Sequence, residues 1–370
     1  MNTKTAFVAI SKKGACLVQD LEELEGDKDV FINRRWFVSK DGRSAFDLPI
    51  KPTIEKIFAD YQKIILIMPV GAAVRLIAPY LQDKYADPAV VCVDDSGNFA
   101  VSLLSGHLGG ADQLAQEISS LIGSIPVITS ASYIGRTIAV DILGQEFGWT
   151  IESLTSTVTK ASADVVNGEP VAIYQQAGEP TWWPDHDSLP NNITKCTTLD
   201  SVKDAPGDTA LIISDEMELI RYRTQPIEQV LLKPNIVLYR PRSLVIGMGC
   251  RKGVKFEDLQ QLLVSSLSDL NLSPKSIRTI ATADIKSTEP GLVELSDYYS
   301  ARITTYNVRQ LNAVFESGEY PISPYDSPQR LLGVGGVCEP SALLASGNTQ
   351  LIMHKRKTDR ATIAIARIVF

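Results

Sequence analysis

Short continuous apolar runs alternate along the chain with longer segments whose apolar residues recur every three or four positions. The first pattern marks buried strands and the second amphipathic helices. TAFVAI from Thr5 predicts a strand, and KKGACLVQDLEEL a helix that Gly26 stops. KIILIMP from Lys63 is a buried strand, and Gly71 opens a helix through Tyr80. AVVCVD from Ala89 and FAVSLL from Phe99 are strands joined by the turn residues Asp94 to Asn98. SGHLGGADQLAQEISSLIG reads as a glycine-rich turn feeding a helix, and PVITS from Pro126 completes the unit.

From about Thr137 to Pro234 the pattern is less regular. There QAGEPTWWPDHDSLPNNITKC, with Pro180, Pro184 and Pro190, predicts a long surface loop or insertion, not core. Alternation then resumes. SLVIGMG from Ser243 is a strand, VKFEDLQQLLVSSLSDL a helix, and IRTIATADIK includes a strand. GLVELSDYYS is a helix, RITTYNV a strand and VRQLNAVFESG a helix. TQLIMHKRK and ATIAIARIV are strands joined by the charged turn from Lys357 to Asp359. Continuous apolar strands joined by helices require sheets covered on both faces. The fold class is therefore α/β and multi-domain, with three-layer α/β/α domains built on parallel or mixed sheets. The expected divisions are 1–136 (N-terminal α/β domain), 137–241 (irregular α/β) and 242–370 (C-terminal α/β domain). No internal repeat or low-complexity tract interrupts them.

Composition narrows the classes. A length of 370 residues suits two or three domains. Hydrophobic residues at 44% and charged residues at 21% exclude a largely disordered chain. With 36 basic and 43 acidic residues, the net charge of −7 makes general binding to nucleic acid or anionic membrane unexpected. No apolar run approaches the roughly 20 residues of a membrane span, and MNTKTAFVAISKKG carries no signal-peptide pattern. Cys16, Cys92, Cys196, Cys250 and Cys338 are scattered and form no CxxC pair, so a reducing cytoplasm is the expected home. His107, His186 and His354 share no metal-ligand spacing, and no protein-bound metal is expected.

Five segments can carry chemistry. In LLSGHLGGADQLA, Gly106, Gly109 and Gly110 let backbone N–H groups approach a ligand at a helix N-terminus. His107 in that turn is either a general acid–base or a turn-former. VIGMGCRKG fails as a dinucleotide fingerprint, because Lys252 stands where the third glycine belongs. Gly249 with Arg251 and Lys252 suggests an anion site instead. Cys250 is a packed thiol or a nucleophile whose neighbouring cations lower its pKa. TADIKSTEPGL clusters Asp284, Lys286 and Glu289, which either serve a ligand or cap a helix through Thr288 and Glu289. GVGGVCEPSALLAS places Cys338 and Glu339 where a glycine turn meets a helix, after the proline-rich loop GEYPISPYDSPQR. The basic run of His354, Lys355, Arg356, Lys357 and Arg360 is either a solvated hairpin end or an anion patch.

The order of these motifs is more specific than any one of them. SGHLGGAD, AVDILGQEFGW, GMGCRKG, ADIKSTEPGL, GVGGVCEPSAL and ATIAIARI, in that order, resemble the cobalt-precorrin-5A hydrolase (CbiG) family of anaerobic cobalamin biosynthesis. The C-terminal half alone also resembles the small CobE proteins. The resemblance implies a hydrolase that opens the δ-lactone of a ring-contracted cobalt corrinoid and releases acetaldehyde, giving cobalt-precorrin-5B. It implies no cofactor, since cobalt arrives with the substrate. Physical reasoning adds roles within that reaction. His107, Glu289 and Glu339 are candidate proton acceptors, and His107 is alternatively a turn-former or an axial ligand to the substrate cobalt. Gly106, Gly109, Gly110, Gly249, Arg251, Lys252, Asp284 and Lys286 are candidate substrate-binding residues. The expected site is a cleft between the N-terminal region and the domain beginning near Arg242. Partners are then an anionic corrinoid and, on the protein side, a second copy or neighbouring pathway enzymes. A non-catalytic corrinoid carrier and a nucleotide-binding transferase are the rival readings.

Overall fold

The computed structural model describes residues 4–40, 42–83, 86–106, 109–130, 137–183, 188–218, 233–325 and 333–370. Two compact units divide the chain, Met1–Ile142 and Leu143–Phe370.

The first unit is a seven-stranded sheet in the order β3-β2-β1-β4-β5-β6-β7. Its strands are β1 (Thr5–Ala9), β2 (Lys28–Asn33), β3 (Arg43–Phe46), β4 (Lys63–Ile67), β5 (Ala89–Val93), β6 (Phe99–Leu104) and β7 (Ile125–Val127). All neighbours are parallel except β5 and β6, which form a hairpin. The alternation of strand side chains sorts the apolar runs into two cores. Phe7, Ala9, Ile65, Ile67, Val91 and Val93 face the helices Lys12–Leu21 and Ala111–Ile122. Ala6, Val8, Ile64, Leu66, Val90 and Cys92 face the helices Lys51–Asp60 and Val70–Ile77. Strands β2 and β3 and the helix Lys51–Asp60 were not expected from the apolar pattern. Strand β3 is the sheet edge and β2 lies next to it with only alternate residues buried, so no continuous run marks them.

The second unit holds two five-stranded sheets. The middle one, in the order β10-β9-β11-β12-β8, corrects the expectation of an irregular segment. It comprises β8 (Thr150–Ile151), β9 (Val171–Gln175), β10 (Ile193–Cys196), β11 (Thr209–Ile213) and β12 (Asn235–Arg240), parallel except for β8. The polar stretch after Gln175 is largely loop as expected, but its end, Ile193–Cys196, is an edge strand.

The C-terminal sheet runs β15-β14-β13-β17-β16. Its strands are β13 (Leu244–Cys250), β14 (Ile277–Ala283), β15 (Arg302–Tyr306), β16 (Met353–Lys357) and β17 (Ala361–Arg367). Strands β13 to β15 are parallel, while β17 and β16 add as an antiparallel hairpin on the far side of β13. The helices Phe256–Asp269 and Pro290–Tyr298 cover one face, and Cys338–Ser346 covers the other. The two sheets of this unit are joined at Asp215, which is fully buried. Its carboxylate accepts from Arg367 Nε at 2.8 Å and Nη2 at 2.9 Å, and from Ser243 Oγ at 2.6 Å.

Gly247 in β13 sets how closely the helix Cys338–Ser346 approaches. A Cβ there would lie 1.8 Å from the Cys338 carbonyl oxygen, so only hydrogen fits. Gly247→Ala should therefore lower unfolding stability by about 1–3 kcal/mol through overpacking. Val264→Ala, on a half-exposed helix position, should change it by only about 0.5 kcal/mol. Urea melts of both variants check this, and equal midpoints would contradict it.

Candidate functional site

The chain leaves β13 toward β14 and β15 on one side, then crosses back to β16 and β17 on the other. At such a reversal the carboxyl ends of neighbouring strands open a crevice. A cavity of about 350 Å³ lies there. Gly249, Cys250 and Arg251 enter it from the end of β13, and Ala283 and Lys286 from the end of β14. Val337, Cys338 and Glu339 enter from the start of the covering helix, and Lys355, Lys357 and Arg360 from the β16–β17 hairpin. Gly249 is needed because a Cβ would sit 2.7 Å from Thr362 Oγ1, which donates to the Gly249 carbonyl.

Glu339 is the buried anion of this cavity, 2% exposed in the first turn of its helix. No side chain caps that helix N-terminus, so its free N–H groups favour the carboxylate. Oε1 of Glu339 accepts the Lys355 backbone N–H at 3.1 Å and lies 3.2 Å from His354 Nδ1. Burial, then its interaction with the Glu339 carboxylate, pushes the Tyr325 phenol up to about 12. Lys355 Nζ stands 3.4 Å from the Tyr325 ring centroid, a cation–π contact. Tyr325 is itself pinned, its N–H donating to the Gly335 carbonyl at 2.6 Å, while Gly335 N–H donates to Asn312 Oδ1 at 3.0 Å.

The other side of the cavity rests on Glu289. It is 9% exposed and does not line the cavity. Its Oε1 accepts from the Gly253 N–H, and Oε2 lies 3.4 Å from Lys286 Nζ. The capping role for Glu289 is not what the structure shows, since its side chain makes no cap bond to the helix Pro290–Tyr298. It binds the wall from behind and holds Lys286. Lys252 and Asp284 are exposed and outside the cavity; Asp284 Oδ1 accepts its neighbour's N–H at Ile285.

The expectation that cations lower the Cys250 pKa is corrected. Burial pushes this thiol up to about 11, and Lys286 opposes without prevailing. Burial also pushes Cys338 up to about 11. Both are packed, protonated thiols near neutral pH. Among the described residues, no three histidine, cysteine or carboxylate side chains gather as a metal site.

The glycine turn of the first unit is built separately. Ser105 has φ +54° and Gly110 φ +83°, and a Cβ on Gly109 would lie 2.5 Å from Ser105 Cβ. A Cβ on Gly106 would lie 2.6 Å from Asp112 Oδ1, which accepts from Ser102 Oγ; Asp112 Oδ2 accepts from Ser130 Oγ. Gly106 and Gly109 are thus held tight by neighbouring protein atoms, whereas Gly110 serves by its positive φ. His107 lies outside the described residues.

Two features of the C-terminal cavity were hard to see from sequence. Tyr325 lies in a proline-rich loop with no periodicity. The basic run divides by strand alternation. Lys355 faces the cavity, whereas Arg356 turns away to Asp269 at 2.7 Å. The hairpin end is solvated, as expected, and its residues line the cavity as well.

Comparison with known proteins places these segments together. Residues 52–132 match the family described as cobalamin synthesis G N-terminal, 138–233 the cobalamin biosynthesis central region, and 244–366 the cobalamin synthesis G C-terminus. A cobalt-precorrin-5A hydrolase from Priestia megaterium is 34% identical over 99% of this chain and 95% of its own. One from Salmonella typhimurium is 29% identical over 88% of each chain. The solved structure of CobE, a protein from the cobalamin biosynthetic pathway, is 31% identical over 34% of this chain and 92% of its own, with a TM-score of 0.32. No described helix is long and apolar enough to cross a membrane.

The thiol environments give a direct test. Iodoacetamide near neutral pH should label exposed Cys16 well before Cys250 or Cys338, whose labelling should quicken only as pH approaches about 11. Their folded pKa values lie above the ordinary 9.0. The stability they contribute is therefore full below pH 9.0 and is lost as pH rises through about 11. Rapid labelling of Cys250 or Cys338 in native protein at neutral pH would contradict this.

Proposed function

This chain belongs to the cobalamin synthesis G family, and we propose that it opens the δ-lactone of cobalt-precorrin-5A with water and releases acetaldehyde, leaving cobalt-precorrin-5B. One observation carries the reading at the level of geometry: a single cavity combines several cations with the buried carboxylate of Glu339. A corrinoid bears several acetate and propionate groups. Arg251, Lys286, Lys355, Lys357 and Arg360 are suited to pair with them, and a guanidinium does so bidentately. The cobalt belongs to the substrate.

In this reading, water adds to the lactone carbonyl and the ring C–O bond breaks. One proton of the water goes to the freed hydroxyl, and the other leaves as the new carboxylate forms. An ammonium beside the carbonyl lowers the cost of the transient oxyanion. Lys286, held from behind by Glu289, and Lys355, held over Tyr325, are the cations placed to do so. In the second stage the freed hydroxyl loses its proton, a C=O bond forms, and the C–C bond to the macrocycle breaks with its electron pair retained by the macrocycle. Glu339 is the proton acceptor of the cavity. The Lys355 backbone N–H donates to it from the protein side, and His354 Nδ1 stands 3.2 Å from the same oxygen.

The purified protein incubated with the lactone corrinoid should release one acetaldehyde per corrinoid, read by a coupled alcohol dehydrogenase assay. A carrier would bind the lactone and release none. Glu339→Gln keeps an acceptor for the Lys355 N–H and should leave corrinoid affinity near wild type. It should lower kcat by roughly 10²–10⁴, the usual contribution of an acid–base group. Wild-type turnover in that variant would remove Glu339 from the reaction.

A further inference from the structure

Glu339 poses a problem that its geometry also answers. It is 2% exposed, so a proton that it accepts cannot pass directly to bulk water. Yet its carboxylate touches two groups that face different surroundings. On the cavity side is Tyr325, which lines the cavity with Glu339 and whose phenol interacts with its carboxylate. On the other side is His354, whose side chain is 64% exposed and whose Nδ1 lies 3.2 Å from Glu339 Oε1. Lys355 fixes the arrangement from both ends, with its backbone N–H on the same Oε1 and its ammonium over the Tyr325 ring. The adjacency follows from β16, which carries His354 and Lys355 side by side along the start of the helix bearing Glu339.

We propose that Tyr325, Glu339 and His354 form a proton conduit from the cavity to solvent. The inference rests on the hydrolytic reading above and adds the route by which its proton leaves. Ring opening converts lactone and water into an alcohol and a carboxylate, and releases one proton. That proton passes to the Tyr325 oxygen as the phenolic proton passes to Glu339. The phenol is neutral before and after. Its high pKa, about 12, suits a group that relays without ionising. Glu339 then gives its proton to Nδ1 of His354 in the tautomer carrying hydrogen on Nε2, and Nε2 sheds a proton to solvent. Imidazole is suited to this step because both ring nitrogens take part. His354 is left with hydrogen on Nδ1, and proton exchange of its exposed ring with solvent returns it to the Nε2–H tautomer, so that each member then stands as it began.

The test is acetaldehyde release by wild type and His354→Ala at saturating lactone, in weak buffer without imidazole and then with imidazole added. His354 is exposed, so its removal should leave the fold and KM unchanged. The conduit predicts a kcat lower by roughly 10²-fold in weak buffer, restored toward wild type by imidazole at the vacated position. Tyr325→Phe should be slowed likewise but not rescued, because its break lies on the cavity side of Glu339. Wild-type kcat for His354→Ala in weak buffer, or a slow variant that imidazole leaves slow, would overturn the conduit while wild-type turnover upholds the hydrolytic reading. Wild type that binds the lactone and releases no acetaldehyde would overturn both.

Discussion

The close contact between Gly247 and the Cys338 carbonyl governs the rest of the C-terminal site. Without a side chain at Gly247, the helix Cys338–Ser346 lies directly on β13. That places the first turn of the helix at the carboxyl edge of β13, beside the β16–β17 hairpin. Glu339 is thereby buried, yet close enough to β16 to accept the Lys355 N–H and to meet His354. A helix displaced outward would carry Glu339 away from both. Backbone packing, which has no chemistry of its own, therefore decides where the cavity's carboxylate stands.

Electrostatics then divides the labour within the cavity. Burying a carboxylate is costly unless donors surround it. Here the helix N-terminus and the Lys355 backbone N–H supply them, with the Tyr325 phenol alongside. Lys286 is held by Glu289 from behind the cavity wall, and Lys355 by the Tyr325 ring at the cavity itself. Such anchoring reduces the entropy lost when a flexible ammonium binds an anion. Burial likewise pushes the Cys250 and Cys338 thiols up to about 11, which disfavours a thiolate in the cavity near neutral pH.

Much of the fold was legible in the sequence, for a physical reason. Strands β1, β4, β5, β13, β14 and β17 are buried on both faces and read as continuous apolar runs. The edge strands β3 and β10, and β2 beside the edge, bury only some of their residues, and β8 has only two, so their signals were lost among polar neighbours. Of the candidate site, Gly249, Arg251, Lys286 and Glu339 meet in one cavity because each ends a strand or begins a helix, where glycine and proline punctuation is visible. Tyr325 and the cavity-facing role of Lys355 were not visible, since both depend on contacts between segments distant in sequence. Burial could not be read either. It turns Cys250 into an inert thiol and Glu289 into a support for Lys286.

The central claim is that the C-terminal cavity holds the corrinoid's acidic groups beside Glu339. A crystal structure of the protein with its corrinoid product bound tests this most directly. The account predicts an edge of the macrocycle at the cavity mouth, with carboxylates paired to Arg251, Lys286 or Lys355 and the lactone-derived acetate nearest Glu339. A corrinoid bound with no contact to these residues would contradict it.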